Sequence, residues 1–120
     1  MGEDEKSGQE GAWPVDVPDL TDDSFESFIT TYGKVVIDCW AEWCGPCKMM
    51  GPVIDKMAED HKGSIAFAKL NVDKNRDIPT KYAIMAIPAF LVFKDGEFVN
   101  SIVGSLPQAS MEAKLDKLFG

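Results

Sequence analysis

Basic residues, cysteines and long apolar runs are all scarce in this chain, and each scarcity removes a class of function. Lys and Arg together number 12 against 20 Asp and Glu, for a formal net charge of -8. A phosphodiester backbone repels that charge, and no basic run overrules the total, so no nucleic-acid partner is expected. Three cysteines in 120 residues are too few for a disulfide framework. No apolar run approaches the length that spans a bilayer, so no membrane partner is expected. The opening residues MGEDEKSGQEG lack the basic and apolar regions of a secretory signal and the Arg-rich, acid-poor character of a transit peptide. Lys6 stands where the myristoylation pattern requires Ser or Thr. A cytoplasmic, reducing compartment is the expectation.

What is present suits one domain. With 45% hydrophobic residues, a chain of this length can bury a core without staples. Residues 1–12 are polar and acidic without apolar periodicity, so a disordered tail is expected ahead of a domain over 13–120. Trp13 ends that tail and can dock on the fold. Val15 to Val17 is a strand candidate ended by Pro18. Thr21 is placed to cap a helix, with Asp22 and Asp23 in its first turn. Phe25, Phe28, Ile29 and Tyr32 share one face of it, and Gly33 stops it. Val35 to Trp40 reads as a buried strand.

A long helix follows from about Cys44 to His61, with Met50, Val53, Ile54, Met57 and Ala58 as its apolar stripe. Pro52 inside it predicts a bend near Lys48 to Pro52. Met49 is assigned to the core or its margin, and His61 to the helix end as a capping or surface residue. Ile65 to Val72 is the next strand, then a short helix around Ile78 to Tyr82. Ala89 to Phe93 and Phe98 to Val103 flank Asp95-Gly96, the strongest hairpin signal in the chain. A last helix from about Pro107 carries Met111, Leu115, Leu118 and Phe119. The order β-α-β-α-β-α-β-β-α predicts an α/β fold. Its mixed central sheet combines parallel β-α-β units with an antiparallel hairpin, flanked by helices on both faces.

The chemistry concentrates in Ile37-Asp38-Cys39-Trp40-Ala41-Glu42-Trp43-Cys44-Gly45-Pro46-Cys47-Lys48, a Cys-x-x-Cys that follows a buried strand and opens a helix. Residues three apart on a helix share a face at roughly 5–6 Å, within the separation a disulfide tolerates. The pair can therefore open and close with little backbone movement. Cys44 falls at the helix N-terminus, where unpaired N–H groups and the helix dipole favour a thiolate and make it the nucleophile. Cys47 is expected a turn deeper, more buried, and hence the resolving thiol. Zinc is the alternative use of such a pair, but a structural site needs four ligands. Beyond the pair only Cys39 and His61 are on offer, so no metal is expected.

Trp43-Cys44-Gly45-Pro46-Cys47-Lys48 resembles the active-site sequence of thioredoxins. The similarity runs from about Leu20 to the end, through Lys69-Leu70-Asn71-Val72-Asp73, Lys81-Tyr82, Ile87-Pro88, Phe93-Lys94-Asp95-Gly96 and Val103-Gly104. The resemblance implies the thioredoxin fold and protein disulfide reduction, with Cys44 attacking and Cys47 resolving the mixed disulfide. It implies that Asp38 is the buried carboxylate assisting deprotonation of Cys47, and Lys69 its ionic neighbour. Pro88 would be the cis-proline beside the site, with Ile87 offering backbone hydrogen bonds to substrate. Trp43, Gly45 and Pro46 would shape the exposed rim, and Gly104 another part of the docking surface. No bound cofactor is implied, because the cysteine pair is the redox group. The implied partners are disulfide-containing clients and a thioredoxin reductase, either flavin-based with NADPH or ferredoxin-linked. A monomer serving cytosolic redox balance is expected.

Several of these assignments have a reading from the residues alone. Asp38 is the only charge in the run Val35 to Trp40. Burial there would raise its pKa and suit it to exchange a proton near neutrality; the alternative is a carboxylate at a strand end serving a turn. Lys69 alone reads as a solvent-facing lysine of an alternating strand. The isomer of Pro88 is not readable from sequence. Cys39 should point away from Asp38 across the strand and behave as a small buried hydrophobe, where thioredoxins usually carry a larger apolar residue. Trp40 reads as structural. Met85-Ala86-Ile87-Pro88-Ala89 departs from the familiar Arg or Lys, Gly or Ser, and Thr, which makes the docking rim more apolar. A thioredoxin-fold binding scaffold is disfavoured by the full set Cys44, Cys47, Asp38 and Pro88. An oxidase or isomerase is disfavoured by Gly45-Pro46 and the missing signal sequence.

Overall fold

The run beginning at Val35 is apolar at nearly every position because both of its faces are covered, as a strand in the middle of a layered sheet requires. In the computed structural model, which describes Trp13, Pro14 and residues 16–120, this run is β2 (Lys34–Trp40). The expected tail over residues 1–12 lies outside the described residues. The other strands are β1 (Asp19–Leu20), β3 (Ala66–Asn71), β4 (Ala89–Lys94) and β5 (Glu97–Val103). The helices are α1 (Asp22–Thr31), α2 (Gly45–Asp60), α3 (Asp77–Lys81) and α4 (Gln108–Phe119). Strand order is β1-β3-β2-β4-β5. β3 pairs in parallel with both β1 and β2, whereas β4 is antiparallel to β2 and β5. The mixed sheet expected from the element order is the one observed.

Alternation along β2 builds two cores. Val35, Ile37 and Cys39 face Phe25 and Ile29 of α1 and Ile78 of α3. Val36 faces Met50, Ile54 and Met57 of α2, together with Met111, Leu115 and Phe119 of α4. Burying one such large side chain is worth roughly 1.5–3 kcal/mol, and a shift of one residue along β2 would exchange the two sets.

The helix and turn signals are met in detail. Thr21 and Ser24 form a reciprocal capping box at the start of α1. Asp95 and Gly96 take φ values of 53° and 82°, the left-handed pair that a two-residue hairpin turn requires. His61 ends α2, donating its backbone N–H to the Met57 carbonyl at 2.9 Å, while its ring lies 2.7 Å from Glu112 Oε1 on α4. α2 continues through Pro52, which has no N–H to offer the Lys48 carbonyl. Trp13 does dock, its ring edge-to-face with Tyr32 at 4.9 Å.

Two expectations need correction. The first strand lies at Asp19–Leu20 rather than Val15 to Val17; Val15 itself lies outside the described residues. Pro18 sits at the join: it lacks a ladder N–H, but its carbonyl accepts the Lys69 N–H at 2.8 Å, and pairing with β3 begins just after it. Met49 is not core, being 73% exposed; it lies on the outer side of α2, between the buried Cys47 and Met50.

Candidate functional site

β2 delivers the chain to Trp40 at one edge of the α2 face. The buried Ala41 then turns it, its carbonyl accepting the Cys44 N–H at 3.2 Å. Cys44 is the N-cap of α2, in extended conformation, and Pro46 occupies the first turn, where its missing N–H costs nothing. The Cys44 sulfur accepts the Cys47 N–H at 3.2 Å, the bond a capping Ser or Asp oxygen would make. Cys44 and Cys47 are joined in a disulfide with Cα atoms 5.3 Å apart. Fractional burial does not distinguish the sulfurs as expected: both residues are 3% exposed, because Ala41, Trp40, Val72 and Ile87 pack around the pair as one cluster. What separates them is position on the helix. Only Cys44 is the cap, and a sulfur anion there accepts a charge-assisted bond at the positive end of the dipole.

Asp38 points to the same face of the sheet as Val36 and α2, and is 2% exposed. Its Oδ1 is buried without a hydrogen-bond partner among the described residues. Burial lifts its pKa from 3.8 to about 7; the Lys69 ammonium opposes the rise and the Asp55 carboxylate on α2 adds to it. Lys69 is the direct parallel-register neighbour of Asp38 on β3, so it is half-buried and faces inward rather than serving as a surface lysine. A cavity of about 710 Å³ between α2 and the segment before β1 is bordered by Asp55, Lys62, Phe67 and Lys69. It brings solvent to the two charges that act on Asp38.

The rim is assembled from distant segments. The Ile87–Pro88 peptide bond is cis, and Ile87 packs on the cysteine cluster. The Pro88 carbonyl accepts the Gly104 N–H at 2.8 Å, with Gly104 at φ +100°, where glycine is the residue without strain. Next to it, Ser105 Oγ donates to the Pro46 carbonyl at 3.3 Å. Gly45 and Pro46 are exposed, and Trp43 is 71% exposed with its indole N–H donating to Asp73 Oδ2 at 2.9 Å. Beside them runs a groove of about 380 Å³ lined by Trp43, Val72, Asp73, Arg76, Met85 and Ile87.

All ten residues singled out from the sequence therefore fall in or around one end of α2 and the strands beneath it. Sequence reasoning missed Asp55 and Ser105, and gave Asp73 no role. Each acts through a contact formed across the fold, and no local pattern marks it. Cys39 lies on the face opposite Asp38 and is fully buried; desolvation, with Asp38 adding to it, pushes its thiol up to about 12. That makes it inert as a nucleophile. Trp40 packs against the cysteine cluster. Among the described residues no three His, Cys, Asp or Glu side chains gather as metal ligands, and no helix is long and apolar enough to cross a membrane.

A paired Cys-x-x-Cys whose first sulfur caps a helix, following a central strand that carries a buried carboxyl, defines a dithiol/disulfide oxidoreductase. Comparison with known proteins narrows the class. Residues 16–117 match the family model described as Thioredoxin. A Pseudomonas aeruginosa protein named thioredoxin is 45% identical over 101 residues, which cover 83% of this chain and 94% of its own. A second thioredoxin, from Chlorobaculum thiosulfatiphilum, is 44% identical over 85% of this chain and 95% of its own. A third, from Porphyra purpurea, is 40% identical over 86% and 97%. The chain belongs to the thioredoxin family, and Cys44 and Cys47 are its redox pair.

Proposed function

We propose that this chain reduces protein disulfides, with Cys44 as the attacking sulfur and Cys47 as the resolving one. The observation that carries the reading is the cap bond, Cys44 Sγ to the Cys47 N–H at 3.2 Å, which favours charge on Cys44. In the reduced form a Cys44 thiolate attacks one sulfur of a client disulfide. The other client sulfur leaves as a thiolate, and Cys44 is left bonded to the client. Cys47 then gives its proton to Asp38 and attacks Cys44 Sγ. The Cys44–Cys47 bond forms, the client's second sulfur leaves as a thiolate, and solvent protonates both client sulfurs. Two electrons pass from the pair to the client.

A carboxyl with its pKa at about 7 accepts and returns a proton near neutrality, as that step needs. Lys69 tunes it from the neighbouring strand. Trp43, Gly45, Pro46, Ile87, Pro88 and Gly104 receive the client. The clustering of Ile87 with the cysteines and the bond between Pro88 and Gly104 support a single docking surface. No bound cofactor enters the cycle. The oxidised pair is returned to dithiol by a thioredoxin reductase, flavin-based with NADPH or ferredoxin-linked. The protein acts as a monomer in the cytoplasm, on disulfide-containing clients.

Dithiothreitol-driven reduction of a disulfide-linked protein, with single cysteine variants alongside, tests the assignment. Cys47→Ser should accumulate mixed disulfides with clients and Cys44→Ser should not; equal trapping by both removes the assigned roles. A redox titration should place the pair near or below the cytosolic glutathione poise of roughly -220 to -320 mV. A clearly more oxidising value would make the protein an oxidant.

A further inference from the structure

We propose that Asp22 and Asn75 are positioning residues for client docking, holding α3 and its preceding loop as the wall of the groove beside the disulfide. The inference rests on the disulfide-reductase reading above.

α3 is a single short turn of five residues whose N-cap, Arg76, makes no capping bond with its side chain. A helix this short does not stand alone, since nucleation costs more than one turn returns. Its first N–H groups are met from outside. Asp22, in the first turn of α1, accepts the Asp77 N–H on Oδ2 at 3.1 Å and the Ile78 N–H on Oδ1 at 3.0 Å. That carboxylate is not needed by its own helix, because Thr21 and Ser24 already complete the capping box of α1. One anion thus lies at the positive ends of two helices.

The brace continues to the active site. The Asp22 N–H donates to Asn75 Oδ1 at 3.0 Å, and Asn75 Nδ2 donates to the Asn71 carbonyl at 3.2 Å. Asn71 Oδ1 accepts the N–H groups of Asp73 at 2.9 Å and Lys74 at 3.2 Å. Asp73 in turn holds the Trp43 indole, next in sequence to Cys44. Trp43, Asp73 and Arg76 are all groove residues. An unbroken chain of hydrogen bonds therefore runs from α1, none of whose residues line the groove, to the indole that shapes the rim. Loosening it moves the wall without touching the cysteines or Asp38.

Dithiothreitol-driven steady-state reduction of insulin, a protein disulfide expected to use the groove, is compared with reduction of dithiobis(nitrobenzoate), a small aromatic disulfide that need not, by the pre-reduced chain in a single turnover. Losing a side-chain cap of ordinary strength converts to about a fivefold change in an equilibrium. Asp22→Ala should raise KM for insulin by about that factor with kcat little changed, and leave the small-disulfide rate and the redox potential as in the unaltered chain. An unchanged KM, or an equal loss on both substrates, overturns the positioning role. If Asp22→Ala does not fold, Asn75→Ala, which keeps both α3 caps, decides by the same split. An unaltered chain inactive on both disulfides removes the reductase reading itself, an outcome distinct from failure of the split.

Discussion

Asp38→Asn removes a charge that burial holds in an unfavourable place, so its effects on stability and on turnover should have opposite signs. Moving a carboxyl from a pKa of 3.8 to about 7, at ~1.4 kcal/mol per pH unit, amounts to about 4 kcal/mol. The sign follows from where the proton sits. Between those two values the unfolded chain has released the Asp38 proton and the native state still holds it, so stability falls as pH rises through the window and levels off above about 7. Below about pH 4 both states are protonated and the contribution vanishes. Asn never ionises and so escapes the penalty. The stability gained by Asp38→Asn should be near zero at about pH 4 and grow to as much as about 4 kcal/mol by about pH 8. Urea unfolding followed by tryptophan fluorescence at a series of pH values measures it, provided the m-value is unchanged. An increment that does not vary with pH would refute the reasoning, because a packing gain has no reason to titrate. The same variant should slow resolution of the mixed disulfide more than the initial attack, as read by stopped-flow kinetics. An unchanged release rate removes Asp38 from the mechanism.

Cys39, fully buried with its thiol pushed up to about 12, should resist alkylation in the reduced native protein. Mass spectrometry after iodoacetamide should find labels only on Cys44 and Cys47 until denaturant is added, and rapid native labelling of Cys39 would contradict its placement. Ala83 follows the end of α3 at φ 53°, where a left-handed residue is normally glycine. Ala83→Gly should therefore raise stability by about 0.5–1 kcal/mol, checked by the urea midpoint; a loss would mean that the Ala83 methyl packs more strongly than its backbone is strained.

Short-range chemistry is legible in the order of residues itself. The Asp95-Gly96 pair specified its turn because only left-handed φ values close a two-residue hairpin. Thr21 specified a helix start, and the spacing of Cys44 and Cys47 after an apolar strand specified a redox pair on one helical face. Asp38 stood out because a lone carboxylate in an apolar run must be desolvated when both faces of the strand are covered. These features depend on neighbours within a turn or a strand.

Other features waited on which segments meet. Whether Val17 or Leu20 joined the sheet depended on the carbonyl of Pro18 finding Lys69. The inward turn of Lys69 came from its register against Asp38, and the near-equal burial of the two sulfurs from Ile87 and Val72 closing over them. Asp22 had an evident local use at the start of α1, yet its carboxylate serves α3 across 55 and 56 residues of chain. Hydrogen bonds and burial of this kind belong to pairs brought together by the folded sheet, and a linear order of residues carries their partners without saying which of them will meet.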